Sequence, residues 1–177
     1  MRIVAGSHKG HKISAPPGVV TRPTGDRVRE AVFSIVGPIE GAAVLDLFAG
    51  SGAMGLEALS RGAGSCVFVE RDPGATRVIK ANLDKLRLTG AVVVTRDVVA
   101  ALREERGRER RFDLVLVDPP YEDWERHAAG LAALVPEVLR PEALVVVETS
   151  ERVEPELPLD LVTTRRYGSA RITVFSR

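Results

Sequence analysis

Residues 43–59 read AVLDLFAGSGAMGLEAL, an apolar run, a loop with three glycines and the start of a helical pattern. Gly50, Gly52 and Gly55 stand in G-x-G-x-x-G spacing. That spacing is weak by itself, but here it follows a strand and opens a helix, the arrangement that lets backbone approach a nucleotide closely. Outward from this unit, apolar runs and helical patterns alternate. Strands are predicted at 43–48, 66–70, 91–95, 112–118 and 143–148, and helices at 53–61, 73–87, 97–106 and 124–136. Such alternation marks βαβ units around a mostly parallel sheet, and evenly apolar strands imply burial on both faces. Runs at 160–167 and 171–176, joined by Gly168 and Ser169, predict a closing hairpin and bring the count to seven strands.

The first 40 residues have a different texture. MRIVAG and HKISAP are short alternating segments around a polar turn, which predicts a β-hairpin; PPGVVTRP reads as a linker. Thr24 or Asp26 can then cap a helix whose apolar face is Val28, Val32, Ile35 and Val36. One domain over 1–177 is expected, with 1–24 as its hairpin and linker extension. The mixed-charge stretch REERGRERR reads as a solvated helix end and turn.

Composition narrows the functional classes. No window approaches 18 uninterrupted apolar residues, and the N-terminus has no apolar signal core, so a soluble cytoplasmic protein without membrane contact is expected. A single cysteine, Cys66, excludes a disulfide framework within the chain, and the scattered histidines His8, His11 and His127 show no ligand spacing, so no metal is expected. The net charge of +1 conceals a division. Residues 1–30 carry +4, residues 31–159 carry −6 and residues 160–177 carry +3. Basic ends on an acidic body fit a catalyst whose termini hold a polyanion.

Acids stand at successive strand ends. Asp46 precedes the glycine loop, Glu70 lies 18 residues beyond Gly52, and Asp97 ends the third strand. Glu70 can accept hydrogen bonds from ribose hydroxyls; Asp97 can accept one from an adenine amino group, or cap a helix. Two cofactors suit such a loop, a dinucleotide and S-adenosylmethionine. Asp46 would repel a pyrophosphate, whereas the ammonium and sulfonium of S-adenosylmethionine favour a carboxylate.

The segment FDLVLVDPPYED, residues 112–123, ends a strand with a carboxylate, two prolines and a tyrosine. Strands one and four flank the crevice where ligands of open α/β sheets bind, so Asp118 should face the glycine loop. Pro119 and Pro120 stiffen the backbone and offer no N–H. Asp118 and the Pro119 carbonyl then form an acceptor cradle suited to an exocyclic amine, with Tyr121 as a stacking surface for a base.

In MRIVAG followed by KGHK, RPTGDRVREAVF, DLFAGSGAMGLEALSRGA, FVERD and DPPY, the chain resembles the RsmD family of bacterial 16S ribosomal RNA guanine-N2 methyltransferases over nearly its whole length. The resemblance implies a class I, Rossmann-like S-adenosylmethionine-dependent methyltransferase sheet of seven strands. It implies cofactor contacts from Asp46, Phe48, Ala49, Gly50, Ser51 and Gly52, from Glu70 and Arg71, and from Asp97 and Val98. Catalysis would fall to Asp118, Pro119, Pro120 and Tyr121, and RNA contacts to Lys9, Lys12, Arg22, Thr24 and Arg27. The implied partner is 16S rRNA within the small ribosomal subunit, met by a monomer. Alternatives are an adenine-N6 DNA or RNA methyltransferase, a glutamine-methylating enzyme, a dinucleotide-dependent oxidoreductase and a nonenzymatic RNA-binding module. A cytosine-C5 mechanism is disfavoured because Cys66 sits within a predicted strand.

Overall fold

The computed structural model describes residues 1–17, 25–120 and 123–177. Seven strands form one sheet: β1 (Ala43–Leu47), β2 (Ser65–Glu70), β3 (Ala91–Thr95), β4 (Phe112–Val117), β5 (Leu139–Ser150), β6 (Asp160–Tyr167) and β7 (Ala170–Ser176). Their order is β3-β2-β1-β4-β5-β7-β6. The first five are mutually parallel and β7 runs antiparallel to both neighbours. The chain reverses its direction of travel across the sheet between β1 and β4, which opens a crevice at their carboxyl ends.

The uniformly apolar strands divide their side chains between two cores. Val44, Cys66, Phe68, Leu114, Leu116, Val146, Ile172 and Val174 meet α1 (Gly25–Val36), α2 (Ala53–Ser60) and α3 (Pro73–Leu86) on one face. Leu45, Leu47, Val67, Val69, Val115, Val117, Val145, Val147 and Phe175 meet α4 (Val98–Gly107) and α5 (Trp124–Leu134) on the other. The period of two is present but invisible in the sequence, because both sets are apolar.

Several boundaries differ from expectation. β5 starts at Leu139 rather than Ala143: Leu139 pairs with Phe112, the register slips, and Glu142 takes a φ of 62° before regular pairing resumes. The slip is a bulge next to Pro141, which cannot donate to the ladder. α5 stops at Leu134, and Pro136–Val138 form a 3₁₀ turn. In the mixed-charge stretch, Glu105 is buried and holds Arg108 at 3.3 Å and Arg110 at 3.2 Å, so only part of that turn is solvated.

The two N-terminal segments come together as an abbreviated hairpin. One antiparallel bridge joins Arg2 to Lys12, supported by bonds from the Ile3 amide to the His11 carbonyl and from the Ile13 amide to the Met1 carbonyl. Pairing goes no further because the next amides are taken by the body. Val4 and Ala5 donate to the two carboxylate oxygens of Glu57 on α2, at 2.7 and 2.9 Å. Ser60 accepts the His8 amide at its hydroxyl and donates that hydroxyl to the Ala5 carbonyl. Gly6 lies so close to α2 that a Cβ would stand 1.8 Å from the Ser60 carbonyl oxygen. Only glycine permits this approach, and its φ of +82° asks for glycine as well.

Glu57 is fully buried, and Arg29 and Arg61 compensate its charge with Nε atoms at 3.4 and 2.8 Å. Arg29 is itself buried and also bonds Asp26 and the Arg2 carbonyl. One carboxylate thus ties α2, α1 and the N-terminal arm together. Removing it takes one of two carboxylates from the buried Arg29 and leaves two backbone amides without their partner, a loss of about 3–5 kcal/mol. Glu57→Ala should lower the melting temperature by on the order of 10 °C, and hydrogen exchange at the Val4 and Ala5 amides should accelerate. Unchanged exchange at those amides would show that the arm is held by its apolar contacts alone.

Candidate active site

A cavity of about 380 Å³ opens at the carboxyl ends of β1, β2 and β4. Its walls bring together most of the residues that the sequence nominated: Asp46, Phe48, Ala49, Gly50, Ser51, Glu70, Arg71, Asp97, Val98, Asp118, Pro119 and Pro120. Gly52 lies beneath the lining. Tyr121, Arg22 and Thr24 fall outside the described residues. Arg27 is exposed on the first turn of α1, close to Gly25, Val28 and Arg29, which line the cavity.

The loop after β1 turns sharply. Phe48 takes a φ of 59°, unusual for a residue with a side chain, followed by Gly50 at 55° and Gly52 at 79°. Gly52 is the N-cap of α2 and has no capping side chain. The cap comes instead from β1: Asp46 Oδ2 accepts the Gly55 amide at 2.9 Å, which places a carboxylate at the positive end of the helix. Gly55 serves packing. A Cβ there would come within 2.3 Å of the Phe68 ring and 2.7 Å of Cys66 Sγ, so its absence lets α2 lie directly on β2.

Glu70 holds the same loop from the next strand. Its Oε2 accepts the Gly50 amide at 2.9 Å and its Oε1 the Asp72 amide at 2.8 Å. Asp97 caps α4, its Oδ1 accepting the Val99 and Ala100 amides at 3.0 and 3.2 Å, and the residue also lines the cavity. Arg71 Nη2 reaches Asp123 Oδ2 at 3.6 Å, linking the end of β2 to the start of α5.

Asp118 continues β4, its amide donating to the Leu47 carbonyl at 3.4 Å. The Pro120 carbonyl accepts the Asp123 amide at 2.8 Å. The glycine loop and the Asp-Pro-Pro loop therefore lie on adjacent strands around one cavity, as an acceptor cradle opposite a cofactor loop requires.

Six carboxylate residues line this space, Asp46, Glu70, Asp97, Asp118, Asp123 and Glu148. The guanidinium of Arg29 is committed to Asp26 and Glu57, and that of Arg71 to Asp123. Burial pushes the Asp46 carboxyl from 3.8 to about 7; the Gly55 amide opposes the rise, and the charges of Asp118 and Glu70 add to it. A cationic ligand relieves this crowding and an anionic one aggravates it. S-adenosylmethionine, with its ammonium and sulfonium, fits the donor set; the pyrophosphate of a dinucleotide does not. The Cys66 thiol is buried, and its pKa is raised well above 9.0 by that burial and by Asp46, so it supplies no thiolate nucleophile.

Sequence reading missed several wall residues of this site, among them Met1, Glu148 and His127. Met1 lines the cavity and lies 3.9 Å from the Ser51 hydroxyl through its sulfur. Glu148, near the end of β5, is another wall residue. His127 is buried on the first turns of α5, edge-on to Phe48 with ring centroids 5.1 Å apart. No spacing signal marked any of them; a helical register for α5 would have placed His127 one turn beyond Asp123.

Residues 1–176 match the family described as conserved hypothetical protein 95. YlbH of Bacillus subtilis, provisionally named an rRNA methyltransferase, is 41% identical over 184 residues, covering 100% of this chain and 99% of that protein. Ribosomal RNA small subunit methyltransferase D of Haemophilus influenzae is 36% identical over 154 residues, 85% of this chain and 79% of that protein. Among solved structures, RsmC of T. thermophilus, a 16S rRNA N2 guanine methyltransferase in complex with AdoMet and guanosine, aligns with a TM-score of 0.70 at 25% identity. That alignment covers 91% of this chain and 44% of RsmC. The sheet is that of the class I S-adenosylmethionine-dependent methyltransferases, and S-adenosylmethionine is the cofactor that goes with it.

The raised Asp46 pKa has a consequence for stability. An acid held above its unfolded value contributes stability that is full below the unfolded pKa, near 3.8, and is lost as pH rises through the folded one, near 7. The ligand-free protein should therefore lose up to about 4 kcal/mol between pH 4 and pH 8 through this group. Asp46→Asn keeps an acceptor for Gly55 and should flatten that decline, measured by denaturant unfolding across the range. An equally steep decline in the variant would show that Asp46 is ionised at little cost.

Proposed function

The chain belongs to the family described as conserved hypothetical protein 95, the RsmD family, and from that premise we propose that it methylates the exocyclic N2 of a guanine in 16S rRNA of the small ribosomal subunit. The observation that carries the reading is the shared cavity of the glycine loop and the Asp118–Pro119–Pro120 loop, on neighbouring strands. The names of its relatives, small subunit methyltransferase D and the N2-guanine enzyme RsmC, support the substrate class. A ribosomal substrate places the work in the cytoplasm.

Bound S-adenosylmethionine supplies an electrophilic methyl group. The chain's own residues do the rest. Asp46 and Glu70 hold the loop that approaches the cofactor and meet its positive charge; Glu70, Asp97 and Val98 face its nucleoside. Asp118 and the Pro119 carbonyl accept the two N–H bonds of the target amine. Those contacts set its lone pair in line with the methyl group and oppose the positive charge that develops on nitrogen. With the cofactor bound, methyl transfer would form the C–N bond as the S–CH₃ bond breaks with its electron pair on sulfur, and the nitrogen would then release one proton to solvent. Tyr121, outside the described residues, carries the stacking role by its place after the prolines. A base must leave its helix to enter such a cavity, which an exposed rRNA loop permits at low cost.

The deciding measurement is transfer of radiolabelled methyl from S-adenosylmethionine to undermethylated small subunits, extracted 16S rRNA and DNA, with nucleoside analysis. N2-methylguanosine is the expected product. N6-methyladenine would keep the cradle and replace the substrate; no transfer to any of them, with no cofactor binding, would overturn the assignment. Asp118→Ala should reduce turnover at least about 10²-fold while cofactor affinity stays within a few-fold. A matching loss of cofactor affinity would move Asp118 out of the substrate half. Glu70→Ala should instead weaken cofactor binding, read by calorimetry, because it releases the Gly50 amide and removes the ribose acceptor.

A further inference from the structure

Resting on the reading of the chain as an rRNA methyltransferase, we propose that the C-terminal hairpin of β6 and β7 is an RNA-docking rim, where Arg165 and Arg166 bind phosphates of the strand entering the active-site cavity.

Strand direction and register place these arginines. β7 is antiparallel to β5 and β6 is antiparallel to β7, so β6 runs with the parallel strands and ends on the edge that carries the cavity. Arg165 stands level with Ile172 on β7, and Ile172 with the wall residue Glu148 on β5. Arg166 is level with Arg171 and Thr149, and by the two-residue period its side chain leaves the opposite face of the strand, so the two arginines straddle the rim. Two interstrand steps separate each arginine's backbone from β5, about 10 Å. That is within the span of neighbouring phosphates around a flipped nucleotide.

The hairpin is built to be rigid at this end. Arg171, buried, donates from Nε and Nη2 to the Glu151 carbonyl and pairs with Glu154 at 3.0 Å. The Glu151 amide bonds the Ser169 carbonyl of the turn at 2.8 Å. Tyr167 packs against the core on the face that carries α1. Arg165 and Arg166, by contrast, are exposed on an edge strand and form no ion pair with the described carboxylates. A guanidinium held on a rigid strand can grip a phosphate bidentately with little ordering cost.

The N-terminal arm cannot fill this role alone. Its turn is fastened to Ser60, at the C-terminal end of α2, where Gly62 and Gly64 meet Gly41 and Ala42 below β1. Lys9 therefore sits toward the amino-terminal edge of the sheet, roughly the 12 Å length of α2 away from the cavity. Arg27 and Arg165 share one face of the sheet and the correct edge. Of the basic residues in 160–177, Arg165 and Arg166 thus stand at the cavity edge of the sheet, whereas Arg171 is paired with Glu154 and Arg177 lies at the opposite edge, by Ala143.

Charged side chains on an edge strand can also simply deter pairing between copies. The two roles separate in a binding experiment. Binding of the full chain to a labelled, unmethylated 16S rRNA transcript is followed by anisotropy over a salt series, for the wild type, R165A/R166A and R165K/R166K. We expect the alanine variant to raise Kd about tenfold at physiological salt and to flatten the log–log salt slope by about 1.4–1.8, two phosphate contacts. The lysine variant should keep most of the slope. S-adenosylmethionine affinity and kcat at saturating RNA should be unchanged, with the loss confined to KM. Wild-type methylation of RNA alongside an unaltered Kd and slope in the alanine variant would overturn the rim alone. A wild type that neither binds nor methylates RNA would bring down the functional reading, and this inference with it.

Discussion

Asp46 is the hinge of the whole arrangement. A carboxylate inside the sheet is expensive, and this one is retained at the position where it caps α2 through Gly55 and faces the ligand cavity at once. The same contact that begins the helix fixes the glycine loop, because the loop is simply the chain between Asp46 and Gly55. Glu70 then secures the middle of the loop from the neighbouring strand. Two acids thus replace the capping side chain that Gly52 lacks, and the backbone stays open toward the cavity. The stability forgone to keep Asp46 buried is a common feature of functional sites.

A second buried acid does for the N-terminal arm what Asp46 does for the loop. Glu57 gathers two arm amides, Arg29 from α1 and Arg61 from its own helix. Since Met1 lines the cavity beside Arg29 and Ser51, the arm is a wall of that space. The arm, α1 and α2 are therefore mechanically joined through one ion network. The guanidinium of Arg29 is committed to that network rather than to the cavity, which keeps its negative character.

The charge blocks along the chain take on spatial meaning only in the folded molecule. The acidic block supplies the carboxylates that suit a cationic cofactor, and these would repel RNA if nothing opposed them. The proposed docking rim answers that conflict, because basic residues at the mouth would hold the phosphates while a single base enters. Arg27 on α1 and the arginines of β6 come from opposite ends of the sequence and arrive at one edge because β6 is parallel to β5.

By itself the sequence determined the sheet, its helices and the cofactor loop. These rest on local signals: apolar runs bounded by turn residues, a 3.6-residue period, and glycines at fixed offsets. It also located Asp118, Pro119 and Pro120, since a polar end to a buried strand is legible without coordinates. Tertiary structure decided what depended on distant partners. Glu57, within the apolar run GLEAL, looks like an ordinary helix-surface acid until the N-terminal amides arrive to bury it. The hairpin is cut short at one bridge because those same amides prefer a carboxylate to a second strand. β5 begins early because Phe112 offers Leu139 a partner across a bulge that no local pattern announces. Lys9 and Arg165 are equally basic in the sequence, and only strand direction puts one far from the cavity and the other beside it. Burial and register are properties of pairs of segments, and a single segment carries no record of its partner.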